Sequence, residues 1–199
     1  MTNIQKEKVK WNDKFTFLRG FLQHPEQVGS IVPSSRFLEQ RIVDIASINT
    51  VRSVVELGPG TGGTTQAILD AMLDDARFLA IELNPEFVSL LKSNPDPRLV
   101  VHHGSAELIE QALAQYNMAC PDAVISGIPF STMPNNLAYR ILKSIWACLA
   151  PGGHFIAYQF RGRVADLGRE ILGIPEIKVE LLNVPPVRLY HWRKPITLD

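Results

Sequence analysis

The chain has 199 residues, 46% hydrophobic and 20% charged, which suffices for one domain with a buried core. Its 20 basic residues balance its 20 acidic ones, so overall charge supplies no attraction for nucleic acid. No apolar run approaches the roughly 18 residues of a membrane span, and the polar opening "MTNIQKEKVKWND" lacks a signal-peptide apolar stretch, so a cytoplasmic location is expected.

The first predicted element is a helix in which Trp11, Phe15, Leu18 and Leu22 form one stripe, widened by Phe17 and Phe21. Lys6, Lys8, Lys10, Lys14 and Arg19 stand there against only Glu7 and Asp13. A basic amphipathic helix of this kind suits an anionic membrane interface, which makes a peripheral membrane location a natural expectation. The same stripe also suits a helix packed on the rest of the protein. "HPEQVGSIVPSS" breaks the pattern, and Ser34 or Ser35 can cap a second helix, "RFLEQRIVDIA". Residues 1–45 thus read as an N-terminal helical segment and 46–199 as the main domain.

From Val51 onward strand and helix patterns alternate. The apolar runs "SVVELG", "FLAIEL", "RLVVHHG", "DAVISGIPF" and "HFIAYQF" are separated by the helical patterns "TTQAILDAML", "NPEFVSLLKS", "AELIEQALAQY" and "NNLAYRILKSIWACL". Asn84 can cap the second of these helices with Pro85 at its first position. Such alternation predicts an α/β fold of the Rossmann-like, doubly wound kind, a mostly parallel seven-stranded sheet with right-handed crossovers. The end departs from it. "IKVELLNVPPVRLYHWRKP" leaves no room for a helix between its two β-rich runs and reads as a hairpin with an antiparallel C-terminal strand. Cys120 and Cys148 have no metal-ligand spacing and read as buried thiols in a reducing compartment, so no metal site is expected.

The stretch "VVELGPGTGGTTQAIL" is a strand, a glycine turn and a helix start. Gly58, Gly60 and Gly63 spell the dinucleotide fingerprint, but Glu56 would repel a pyrophosphate and Pro59 lacks an N–H to offer one. A carboxylate at this place attracts an ammonium group instead. Glu82, twenty residues beyond Gly62, ends the next strand, where it can accept both hydroxyls of a ribose.

The spacing of Glu56, Gly58, Gly60 and Gly62 resembles motif I of the class I S-adenosylmethionine-dependent methyltransferases. That resemblance implies S-adenosyl-L-methionine as cofactor, held by Glu56, Gly58, Gly60, Thr61 and Gly62, then by Glu82 and Leu83. After the third strand it implies contacts from Ser105 and Ala106; Ser105 stands where the family usually carries Asp, with Glu107 as an alternative one turn on. "SGIPF" resembles the motif with which ribosomal RNA adenine dimethylases hold a target nitrogen. It implies acceptor contacts from Ser126, which also borders the cofactor, from the carbonyls of Gly127 to Pro129, and from the ring of Phe130. Tyr158 is a further candidate contact, with a packed aromatic as the alternative. His102 and His103 lie on strand three, one expected inward and one outward.

"FLRGFLQHPEQVGSIVPSSRFL", "ELGPGTG" and "NVPPVRLYHWRKP" together resemble bacterial phospholipid N-methyltransferases over most of the chain. This implies methylation of the amine of phosphatidylethanolamine-type head groups, with a phospholipid or other amine substrate and no nucleic-acid partner. An RNA adenine methyltransferase, a small-molecule amine methyltransferase and a non-catalytic cofactor-binding protein remain the alternatives.

Overall fold

A computed structural model describes residues 35–196. The helix expected around Trp11–Leu22, its membrane role and the segment preceding Ser35 lie outside the described residues.

The first described helix, α1 (Arg36–Ile45), is capped by Ser35, whose hydroxyl accepts from the Leu38 N–H at 3.2 Å. Leu38 and Ile42, one turn apart, are buried with Val43 in the same core cluster as Val54, Ile68 and Leu69. The compact body that holds the sheet includes α1. A boundary at residue 45 therefore cuts between α1 and the core in which it is packed.

The sheet alternates with helices in the expected order: β1 (Ser53–Leu57), α2 (Gly63–Ala71), β2 (Arg77–Glu82), α3 (Pro85–Lys92), β3 (Leu99–His103), α4 (Ile109–Gln115), β4 (Ala123–Ser126), α5 (Asn135–Cys148) and β5 (His154–Gln159). Asn84 caps α3, its side chain accepting from the Glu86 N–H, with Pro85 in the first turn. All seven strands form one sheet in the order β3-β2-β1-β4-β5-β7-β6. Strands β1 to β5 are mutually parallel. Every residue of β1 and β4 is buried, as strands covered on both faces should be. The order reverses between β1 and β4, and ligands of open α/β sheets bind outside the carboxyl ends of strands at such a switch.

Strand β7 (Val187–Arg193) is antiparallel to β5, and β6 (Glu176–Glu180) is antiparallel to β7. Strand β6 therefore runs in the same sense as β1 to β5. The β6–β7 turn consequently lies at the carboxyl end of the sheet, the end that carries the switch point.

Two features depart from the sequence reading. A helix, α6 (Arg163–Leu172), follows β5 where none was expected. Its buried stripe is Val164, Gly168 and Leu172, and Val164, Leu167, Ile171 and Leu172 recur at helical spacing, a pattern present in the sequence and passed over there. A side chain at Gly168 would crowd Leu172 and Trp192, which ties the glycine to the close approach of α6 to β7. The second departure concerns the thiols. Cys148 is buried, and burial pushes it up to about 12, but Cys120 is exposed.

Candidate functional site

The site begins with a carboxylate in an unfavourable place. Glu56 sits in the fully buried β1, where one carboxylate oxygen accepts from the Thr65 hydroxyl at 2.6 Å. The other oxygen, Oε1, is buried with no hydrogen-bond partner among the described residues. Desolvation pushes this carboxyl up to about 8; the Thr65 hydroxyl opposes the shift and the charge of Glu82 adds to it. A buried, unpaired carboxylate oxygen costs stability unless something cationic meets it.

Strand β1 runs directly into the turn. Gly58, Gly60 and Gly62 all hold positive φ, of 70°, 58° and 87°, and Gly62 starts α2. Nothing lies within 4 Å of the place where a side chain at Gly60 would project, so the turn presents bare backbone to open space. Thr61 is exposed on the same turn. At Gly58, by contrast, a side chain would press on Ile128 at 3.2 Å, which brings the first turn against the segment after β4.

Glu82 ends β2 and is nearly buried. Its Oε2 accepts from the Gly60 N–H at 3.1 Å, and its Oε1 accepts from the N–H groups of Leu83 and Asn84, both at 2.8 Å. The residue thus ties the glycine turn to the end of the neighbouring strand. Ser105 caps a short 3-10 turn, its hydroxyl accepting from the Glu107 N–H at 3.3 Å, and Ala106 is buried beneath it. Glu107 is paired with Arg140 at 2.6 Å.

At the end of β4, Ser126 is fully buried and accepts from the Ile128 N–H at 3.3 Å. A side chain at Gly127 would run into the Tyr158 hydroxyl and stand 3.0 Å from the Gly58 carbonyl oxygen. Only a bare backbone fits between the two turns here. Two carbonyls expected to face an acceptor are occupied within the protein: Ile128 accepts from Gln159 Nε2 at 2.6 Å, and Pro129 accepts from the N–H and hydroxyl of Thr132, each at 3.1 Å. Phe130 has no exposed surface, so its ring is a wall of the core and offers no open face to a ligand in this structure. Tyr158 is largely enclosed on β5. Burial, then the charge of Glu56, pushes its phenol up, so it stays a neutral O–H.

The two histidines of β3 differ in burial, as strand alternation predicts. His102 is half-buried beside the Tyr116 hydroxyl, its pKa lowered first by burial, while His103 is exposed and meets the Leu83 carbonyl at 3.1 Å.

One residue went unnoticed in the sequence. Glu39 reaches from α1 to the start of α2, where its Oε1 lies 2.8 Å from the place a side chain at Gly63 would take. Burial pushes its carboxyl up, against the pull of Arg36. Its charge is felt at the Tyr158 phenol together with those of Glu56 and Glu82. Three acidic groups from α1, β1 and β2 therefore meet at this end of the sheet, where a bound cation would favour their ionised forms. No sequence period connects Glu39 to a turn two dozen residues away, so only the packing of α1 on α2 reveals it.

These residues fit S-adenosylmethionine. The orphaned Glu56 oxygen matches an ammonium group, the bare Gly60 turn allows close backbone approach, and Glu82 holds a carboxylate beside that turn at the end of β2. No group of three or more metal-ligating side chains occurs among the described residues.

Comparison with known proteins agrees. Residues 54–153 match a family model described as a methyltransferase domain. The chain is 34% identical to the ornithine lipid N-methyltransferase of Singulisphaera acidiphila over 145 residues, covering 72% of this chain and 76% of that one. It is 26% identical to the ribosomal RNA small subunit methyltransferase A of Nocardia farcinica, of whose length it spans only 47%. Among solved structures, the 1,6-didemethyltoxoflavin-N1-methyltransferase of Burkholderia thailandensis, with bound S-adenosylhomocysteine, aligns with a TM-score of 0.66 at 15% identity, covering 92% of this chain and 90% of that one.

Proposed function

From the premise that this chain belongs to the class I S-adenosylmethionine-dependent methyltransferases, we propose that it methylates the amine of a lipid head group. The observation that carries this reading is the likeness to the Singulisphaera lipid N-methyltransferase, which extends over most of both chains. Amino-lipids of the ornithine type and of the phosphatidylethanolamine type present the same chemistry, a primary amine on a short polar stem. The acidic cofactor end and the neutral overall charge also disfavour a polyanionic acceptor.

The cofactor supplies a methyl carbon made electrophilic by a sulfonium centre. The protein's task is to hold, orient and desolvate. Glu56 Oε1 offers a buried acceptor to the ammonium of the cofactor's amino-acid part, and Glu82 offers its carboxylate to the ribose. The constriction between Gly58, Gly127 and Tyr158 narrows the passage at the carboxyl ends of β1 and β4. With the carbonyls of Ile128 and Pro129 and the buried Ser126 hydroxyl engaged within the protein, the Gly127 carbonyl is the group of this segment left to align an acceptor amine. An ammonium cannot attack, so the amine must enter neutral, and an enclosed site favours that form. The Tyr158 phenol, held protonated, can donate or accept a hydrogen bond but cannot act as the base.

A labelled-methyl assay tests the reading. Detergent-solubilised phosphatidylethanolamine and ornithine lipid are offered beside ribosomal RNA and free ethanolamine. Label entering either lipid well above the other two supports it. Label in RNA alone transfers the activity to the class of the Nocardia relative, and label in ethanolamine alone makes it a small-molecule enzyme.

A further inference from the structure

Eleven large apolar side chains are exposed among the described residues, and six of them lie between positions 174 and 184. Leu181, Leu182 and Val184, in the β6–β7 turn, are 71%, 60% and 80% exposed. The turn is inverted relative to a solvated one, in which polar groups face water. Here the polar residues face inward. Glu180 is buried and accepts from the Leu182 N–H at 3.0 Å and from Arg41 Nε at 2.7 Å. Asn183 is buried too, its Oδ1 accepting from the Ser35 N–H at 3.0 Å and its Nδ2 donating to the Pro185 carbonyl at 2.9 Å. These bonds hold the turn against α1 and aim its apolar residues outward. Phe37, which lies on α1 between the two residues that bind the turn, Ser35 and Arg41, is 57% exposed.

Cations rim the patch. Arg36 and Arg188 are exposed, while Arg41 is paired with the buried acid of the turn, Glu180, so that this pair adds no net charge. Position matters as much as composition. Because β6 runs with β1 to β5, its turn stands at the same end of the sheet as the glycine turn, Glu82 and Ser126.

We propose that the β6–β7 turn, with Phe37, is a membrane-docking surface. It inserts Leu181, Leu182 and Val184 into the interfacial layer of an anionic lipid surface and turns the methyl-donor end of the sheet towards that surface. The proposal deepens the lipid reading and rests on it for its purpose. An apolar tip flanked by arginines is complementary to acyl chains beneath anionic head groups. A second copy fits less well, since a two-fold contact through this face would set arginines against arginines.

The test uses the full chain and vesicles of phosphatidylcholine with and without phosphatidylglycerol. Leu181→Ser/Leu182→Ser alters only exposed side chains, so circular dichroism should match wild type. Co-sedimentation with the anionic vesicles should fall about tenfold or more, since interfacial binding scales with the apolar area inserted. Binding of S-adenosylmethionine and methylation of detergent-solubilised lipid should be unchanged. Equal sedimentation of the two proteins overturns the proposal. Sedimentation is read without turnover, so the two readings fail separately. Lost sedimentation in a protein that methylates no lipid leaves the docking surface standing without its substrate, and intact sedimentation beside lipid methylation does the reverse. A second measurement places an environment-sensitive fluorophore at Val184→Cys in a Cys120→Ser background, Cys148 being buried and unreactive. Its emission should shift to the blue only when anionic vesicles are added. A lipid-free blue shift overturns the proposal: one that grows with protein concentration assigns the patch to a second copy, and one independent of concentration assigns it to cover by the chain itself.

Discussion

At the scale of the residue, Glu56 sets the chemistry of the site. Its carboxyl has an ordinary value of 4.5 and a folded value of about 8, so between the two the folded protein holds a proton that the unfolded chain releases. The group's contribution to stability is therefore greatest in acid and declines as pH rises through that window. Binding of a cationic cofactor reverses the preference, because the ionised form is the one that meets an ammonium. Cofactor binding near neutral pH should thus expel a proton, and affinity should climb with pH until about 8. Calorimetry in buffers of different ionisation enthalpy measures this directly. Glu56→Gln should bind more weakly, show no proton release, and be no less stable than wild type in alkaline buffer. Proton release that persists in the variant would assign the titration to another group.

At the scale of the element, α1 is part of the core even though the sequence pattern groups it with the segment before it. Ile42 is fully buried among residues of α2 and the sheet. Ile42→Ala should cost about 2–5 kcal/mol in denaturant unfolding, the range for truncation in a close-packed core. A loss below about 0.5 kcal/mol would mark α1 as a detachable flap. Much of this level was legible beforehand. Apolar runs ending in glycine, the Asn84–Pro85 helix start and the NVPP hairpin each carry local chemistry that the fold obeys. The placement of Glu56 on β1 and of Glu82 at the end of β2, beside the glycine turn, was legible as well. What stayed hidden depends on contacts between distant stretches. The close fit of Gly168 against Leu172 and Trp192 is one such contact, and Phe130 looks like a ligand-facing ring until the core closes round it. The exposure of Leu181, Leu182 and Val184 was equally invisible, because a short apolar run reads as buried strand until its register is known.

At the scale of the whole molecule, the two ends of the sheet have different tasks. The carboxyl end gathers the glycine turn, the strand-end acids and the apolar hairpin turn. The other end is tied by structural bonds: Asp122 accepts from the N–H groups of Arg52 and Ser53, and the Lys194 ammonium donates to the carbonyls of Trp146, Ala147 and Leu149 at the end of α5. No helix among the described residues is long and apolar enough to cross a membrane. One feature joins the two turns of the carboxyl end. Helix α1 meets the glycine turn through Glu39 and the hairpin through Arg41 and the Ser35 N–H. A rigid rod touched at two places does not absorb two disturbances independently. Gly63→Ala, which displaces Glu39, and Glu180→Gln, which releases Arg41, should therefore be non-additive in a double-mutant cycle, with an interaction energy above about 0.5 kcal/mol. Additive losses would show that each turn rests on its own support. Non-additivity makes positions 63 and 180 thermodynamic neighbours, so that selection acting on either turn is also selection on the other.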